Sequence, residues 1–341
     1  MKKLLPPIIY PFALLMAVLA CKTSTNNGLV LTDAIREENP IIKDKYTADP
    51  AAIVFHDTVY LYVGHDQAEL DRNFYDLREW LVFSSTDMVN WKEYPVPLSV
   101  KDFKWARNSA WAAHVIEKNG KFFWYVTVYH DSIPGFSVGV AVADRPEGPY
   151  RDAFGHALIT NDMTKSPFQI PAGDEGKMRD MDWDDIDPAA FIDSDGQAYL
   201  FWGNTTCHYV KLKDNMIEMD GPIDTIGLPR FTEAPWIHRQ GDWYYLSYAY
   251  GFPEKTAYAM SKNITGPWEF MGILNEIAGN CNTNHQSIIE YKGRSYFIYH
   301  NGGIQPHGGS FRRSVCIDYL YYHSNGTMQK VVMTTEGVEP A

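Results

Sequence analysis

Five times along this chain a short motif opens a β-type segment that crosses a two- or three-residue turn into an alternating, aromatic-rich strand, and this repetition limits the fold more than any other feature. The copies are Ala48-Asp49-Pro50-Ala51-Ala52-Ile53-Val54 into Thr58–Tyr62, Ala110-Trp111-Ala112-Ala113-His114-Val115 into Lys121–Tyr125, and Ile186-Asp187-Pro188-Ala189-Ala190-Phe191-Ile192 into Gln197–Phe201. Thr232-Glu233-Ala234-Pro235-Trp236-Ile237 into Asp242–Leu246 and Asn284-His285-Gln286-Ser287-Ile288-Ile289 into Arg294–Tyr299 complete the set. Asn119-Gly120, Asp195-Gly196, Gln240-Gly241 and Lys292-Gly293 supply the glycine-bearing turns that tight hairpins need for positive φ. A later element recurs in the same phase: Gly148-Pro149-Tyr150, Gly266-Pro267-Trp268 and, in the first copy, Asn90-Trp91.

A four-stranded sheet of about 45 residues cannot cover its own faces, whereas five such sheets packed radially can. The expected fold is therefore all-β, a five-bladed β-propeller over residues 39–341, with a β-sandwich as the alternative that lacks this block repetition. The stretch from Asn161 to Asp185 interrupts the repeat and reads as a loop over one face. Its run of Asp180, Asp182, Asp184 and Asp185 lacks the Gly and Glu of a calcium-binding hand and reads as a solvated acidic loop.

Ahead of the repeats, residues 1–20 have the layout of a signal segment, with Lys2 and Lys3 before an apolar run that ends in Ala20. Val18-Leu19-Ala20-Cys21 resembles a bacterial lipobox, which makes Cys21 a lipidation site, residues 21–38 a polar tether and the chain an exported lipoprotein, periplasmic or at the cell surface. The alternative is a plain secretory signal, and both readings export the protein. Loss of Lys2 and Lys3 takes the formal charge from −12 to −14, the wrong sign for nucleic acid and compatible with a neutral glycan. Cys207, Cys281 and Cys316 have no CxxC spacing, so at most one disulfide is expected and no structural zinc.

In a propeller the first strand of each blade lines the central channel, so the repeat starts bring Asp49, Trp111, Asp187, Glu233 and His285 toward one pocket. Carboxyls crowded together push one another's pKa values apart, and one can stay protonated while another remains a base. No HExxH, Walker or GxSxG pattern supports a metalloprotease, nucleotide hydrolase or serine hydrolase. Tyr46-Thr47-Ala48-Asp49-Pro50, Asp185-Ile186-Asp187-Pro188-Ala189 and Thr232-Glu233-Ala234-Pro235-Trp236, in that order on a five-fold repeat, resemble glycoside hydrolase family 43 from about Asn39 to Val338.

The resemblance implies an inverting glycoside hydrolase in which Asp49 is the general base, Glu233 the general acid, and Asp187 the residue that holds Glu233 and raises its pKa. Inversion needs a water between base and acid, hence a separation on the order of 6.5–9.5 Å. It also implies that Arg313, within Phe311–Asp318, meets the sugar or the tuning Asp while adjacent Arg312 faces the other way. Trp111 is a candidate sugar-stacking platform, with core packing as its alternative. His285 is a candidate for sugar binding, or for a calcium ion in the channel reached through water, or is a core histidine. Asn284 stands where the family usually has Gly, and this departure weighs against the metal. No cofactor is required.

The Phe311–Met328 segment most resembles the branch that removes terminal α-L-arabinofuranose from plant polysaccharide side chains in exo fashion. β-Xylosidase, galactofuranosidase, endo-arabinanase or endo-xylanase activity and a non-catalytic glycan-binding propeller are the alternatives, and the expected partner is an arabinose- or xylose-containing glycan.

Overall fold

The computed structural model describes residues 38–164 and 183–341, so the signal segment, Cys21, almost all of the tether, and Asp180 and Asp182 lie outside the described residues. What is described is all-β, apart from a single 3-10 turn at Val100–Asp102. Five antiparallel sheets follow one another in chain order, giving the five-bladed propeller that the repeat requires. Their inner strands begin at Thr47–Phe55, Ala113–Lys118, Ala189–Ile192, Phe231–Gln240 and Ser287–Tyr291. Among the described residues no helix is long and apolar enough to cross a membrane.

The hairpin turns follow their chemistry. Asn119-Gly120 has φ of 54° and 75°, and Lys292-Gly293 has 48° and 73°, so both central residues occupy the left-handed region that matches strand twist. His56-Asp57 makes the same turn without glycine, at 45° and 57°. The blades are less uniform than four strands each: the first two sheets carry short extra strands, and the fifth has only Ser287–Tyr291, Arg294–Asn301 and Ser314–Leu320. The exposed edge of that last strand is taken by the segment entering the first blade. Ile41 donates to Val315 O (2.9 Å), and the Asn39 amide both donates to Ile317 O (3.0 Å) and accepts its N–H (2.8 Å). The segment entering the first blade thus closes the ring against the fifth.

Apolar residues of facing sheets fill the wedges between blades. Val59, Leu61 and Leu81 of the first meet Ile298, Val315 and Ile317 of the fifth, and Tyr125, Val138 and Val140 of the second meet Leu200, Trp202 and Val210 of the third. Around the channel the inner strands are joined by polar bonds. Ala52 N donates to Ser287 Oγ (3.0 Å), Gln286 Nε2 to Ala234 O (2.9 Å), Ala234 N to Asp187 Oδ2 (3.0 Å) and Asp187 N to Thr127 Oγ1 (3.0 Å). Ala234, looped out of register in its own sheet, has both its N–H and its C=O satisfied in this way, which is how irregular backbone is tolerated at the centre.

Cys207, Cys281 and Cys316 are buried free thiols. The acidic-loop reading needs correction: Asp184 is 9% exposed and Asp185 fully buried, its carboxyl accepting from Thr164 Oγ1 (2.6 Å) and Trp202 Nε1 (2.8 Å). Burial pushes Asp185 up to about 7, so this side chain is an internal strut rather than a solvated charge.

Replacing Asn39 by Ala leaves the Ile317 N–H and C=O without their partners inside the closure, and should lower unfolding free energy by about 1–3 kcal/mol in urea titrations. An unchanged midpoint would show that closure does not depend on this contact.

Candidate active site

Asp49 and Asp187 are held at matching places by matching backbone. Both precede a proline and both lie in the left-handed region, at φ 51° and 59°, as does Ala234 before Pro235 at 56°. The first and fourth blades break their ladders at the same point, Asp49-Pro50 and Ala234-Pro235 each being looped out of register with the second strand. A β-carbon in that region, next to proline, is strained, and the strain turns the side chain out of the sheet into the channel. Glu233 therefore stands one residue ahead of the two aspartates in the repeat rather than level with them, and its longer side chain reaches the cavity from that offset.

The cavity measures about 740 Å³ and is lined by Asp49, Asp187, Glu233, His285 and Arg313 together with an aromatic collar of Phe74, Tyr75, Trp111, Trp183, Phe252 and Phe311. All six residues proposed from sequence for catalysis or sugar binding face this one space. Trp111 is 8% exposed, with one face stacked on Phe136 (ring centroids 4.1 Å, 29°) and Trp183 against it edge-on at 5.3 Å. It is at once core and cavity wall. Phe252, 65% exposed, is the ring left open at the mouth.

Arg313 sets the charge balance. Its Nη1 donates to Asp49 Oδ1 (2.7 Å), while Nε and Nη2 grip Asp66 Oδ2 and Oδ1 (2.9 Å each), and its guanidinium lies 5.0 Å above the Tyr75 ring. Its partner is thus the expected base, not the tuning aspartate. Arg312 faces outward, bonded to the carbonyls of His307 and Glu69. His300, fully buried, places Nδ1 3.3 Å from Asp49 Oδ1 and 3.2 Å from the Asp49 N–H. One nitrogen cannot serve both. Beside an ionised carboxylate the proton belongs on Nδ1, and that contact lifts His300 above its ordinary value against the opposing effect of burial.

These contacts drive neighbouring carboxyls in opposite directions. Burial alone would raise Asp49, but the Arg313 guanidinium and His300 overcome it and hold Asp49 well below the usual carboxylate range. Glu233, half-buried and hydrogen-bonded by Asn204 Nδ2 (2.7 Å), is pushed up to about 7, chiefly by burial and then by the charge of Asp49. Asp187 is raised well above its ordinary value by burial, then by Glu233 and Asp49. Asp187 and Glu233 thus titrate as a pair that retains a proton near neutrality, and Asp187 fixes Glu233 mechanically by accepting the N–H of the next residue, Ala234.

His285 directs Nδ1 at Asp187 Oδ2 (3.7 Å) and Asp49 Oδ1 (3.9 Å), and burial lowers its pKa to about 4, so it is neutral. Calcium takes six to eight oxygen ligands, and among the described residues no group of three or more His, Cys, Asp or Glu side chains is arranged to hold a metal. The donor set around His285 does not fit such an ion on protein ligands, and no step below uses one.

Asp66, His300, Asn204 and Glu254 are site residues that the sequence reading missed. Asp66 and His300 sit at or near the ends of second strands, Thr58–Asp66 and Arg294–Asn301, where the alternating pattern runs unbroken and nothing marks them off.

Residues 37–328 match the sequence profile of Glycosyl hydrolases family 43. The chain belongs to this family. It is a glycoside hydrolase, and its relatives share the architecture described above. A xylosidase/arabinosidase of Bacteroides ovatus is 28% identical over 350 residues, covering 88% of this chain and 98% of that protein. An α-L-arabinofuranosidase from Clostridium thermocellum is 30% identical with a TM-score of 0.69, covering 88% of this chain and 98% of its own. A β-xylosidase/α-arabinofuranosidase from a compost microbial metagenome, solved with xylotriose in a calcium-free form, reaches a TM-score of 0.73 at 26% identity, covering 86% and 96%.

Replacing Asp66 by Ala leaves the buried Arg313 with one carboxylate where it had two. Unfolding free energy should fall by about 3–5 kcal/mol, and the protein that remains folded should lose activity. Chemical denaturation alongside rates corrected for folded fraction checks both, and a stable, fully active variant would remove Asp66 from the site.

Proposed function

We propose that this glycosidase removes terminal α-L-arabinofuranose from plant polysaccharide side chains by single displacement with inversion at the anomeric carbon. The observation that carries the chemistry is the opposed state of two carboxyls in one cavity: Asp49 held ionised, Glu233 held protonated up to about 7. Asp49 accepts a proton from the attacking water as that oxygen bonds to the anomeric carbon, and Glu233 gives its proton to the departing glycosidic oxygen. The released pair is a free sugar and an alcohol, and the two carboxyls have exchanged protonation states, which bulk water resets. Asp187 holds the Glu233 backbone through Ala234, and Arg313 keeps Asp49 from capturing a proton too early.

The aromatic collar supports exo action on one terminal sugar, since six aromatic side chains line the same cavity as the carboxyls and one of them, Phe252, is exposed. Arabinofuranose is the first choice because the relatives above include an α-L-arabinofuranosidase and two enzymes named for both sugars. β-Xylosidase activity is the second reading, favoured by the neighbour solved with xylotriose. Export as a lipoprotein anchored at Cys21 belongs to the same proposal and rests on the sequence alone.

A panel of aryl α-L-arabinofuranoside, β-D-xyloside and β-D-galactofuranoside tests the sugar. The arabinofuranoside should give the highest kcat/KM; preference for the xyloside supports the second reading, and binding without cleavage of any supports a lectin. A general acid works only while it holds its proton, so activity should be present below pH 7 and lost as pH rises through about 7, where Glu233 ionises. Asp49 remains ionised far below that, so it imposes no loss between pH 7 and 5. Glu233→Gln should lower kcat/KM by about 10²–10⁴-fold and abolish the basic limb. A limb that survives in Glu233→Gln belongs to another group.

A further inference from the structure

Besides Asp49, Asp187 and Glu233, the cavity is lined by Asp184 and by Glu254, and Glu254 has no part in the chemistry above. Glu254 is 1% exposed, on the segment that leaves Trp243–Tyr250 through Gly251-Phe252-Pro253 for the next strand, Lys255–Ser261. It grips the residues leading into the fifth blade at two points. Its own N–H donates to Asn282 O (2.9 Å), and its Oε2 accepts the Asn284 N–H (2.7 Å). The Asn284 side chain is tied down in turn, with Nδ2 reaching Asn275 Oδ1 (3.2 Å) and Glu276 O (3.3 Å).

The gripped residue sits between two that touch the reacting centre. On one side Thr283 meets His300 Nε2 through its carbonyl (3.2 Å) and hydroxyl (3.3 Å), and His300 in turn contacts Asp49. On the other side His285 faces both Asp49 and Asp187. A shift of Asn284 therefore moves Thr283 and His285 together, and both arms end on Asp49. Glu254 is buried beside Glu233 and Asp187, and an ionised carboxylate there is costly, so it is held in its neutral form, well above the usual range.

We propose that Glu254 is a positioning residue for the hydrolysis: by clamping Asn282 and Asn284 it fixes Thr283 and His285, and through them the orientation of Asp49. This role rests on the hydrolase reading of the cavity. It requires an acceptor oxygen at the Oε2 position and no charge, so glutamine can replace glutamate there, while aspartate, one methylene shorter, cannot reach the Asn284 N–H.

The test is the set Glu254→Ala, Glu254→Asp and Glu254→Gln in the full chain, assayed on the best aryl glycoside with rates corrected for folded fraction. Ala and Asp should lower kcat by about 10- to 100-fold, as small misplacements of a reacting group do, with KM little changed. Gln should recover most of that loss. Backbone amide exchange at Asn284, read by NMR, should quicken in Ala and Asp but not in Gln. Equal kcat in Ala and Gln, a loss confined to KM, or unaltered exchange in Ala would overturn the proposal while the wild-type enzyme still cleaves. A wild-type protein that cleaves no glycoside would overturn the hydrolase reading first and the positioning role with it.

Discussion

One buried guanidinium organises this molecule's chemistry. Arg313 comes from the last blade and joins Asp49 and Asp66 of the first, so the contact that holds Asp49 ionised also crosses the seam between the fifth blade and the first. A buried charge group of this kind is costly unless every member is satisfied, and here Asp66 engages the guanidinium at two nitrogens and also accepts the Arg313 backbone N–H (2.8 Å). With Arg313 anchored by Asp66, its third nitrogen is available to Asp49. Asp66 thereby makes the remaining positive charge a fixed feature of the pocket rather than a mobile side chain.

The same electrostatic field separates the two carboxyls that the proposed reaction needs in opposite states. Asp49, one arginine away from neutralisation, cannot hold a proton; its surviving negative charge is then one reason that Glu233 keeps one. Neither state comes from the residue type. Asp49 owes its state to the strained pre-proline backbone that turns it toward Arg313 and His300, and Glu233 owes its own to burial, one residue before the matching strained position, Ala234. The bonds that cross between inner strands, such as Ala234 N to Asp187 and Asp187 N to Thr127, make the relative placement of blades two, three and four part of the site itself.

The fold was legible in the sequence because a propeller is a period, and a period can be counted. Lys292-Gly293 and Asn119-Gly120 marked their hairpins correctly because only certain residues accept positive φ at both places. The three channel carboxyls were legible through their motifs. The bulge register was not, so Glu233 was assigned to the same level as the aspartates although it lies one residue earlier. Asp66, His300 and Glu254 were hidden for a different reason: the partners of the first two are more than 200 residues away and that of Glu254 is 30 residues on, and no local pattern announces a contact of that range. The run ending in Asp184 and Asp185 misled by composition, since charge density suggested solvent where the fold supplies Trp202 and Thr164 as partners.

The proposed mechanism requires the protein to hold the two carboxyls in opposite protonation states. Carbon-13 NMR of Asp- and Glu-labelled protein, with Asp49→Asn and Glu233→Gln used to assign the two signals, reads those states without any substrate. The Asp49 carboxyl should stay in its ionised position from pH 4 to 8, and the Glu233 carboxyl should titrate near pH 7. Both signals titrating together near pH 4, as free side chains do, would contradict it.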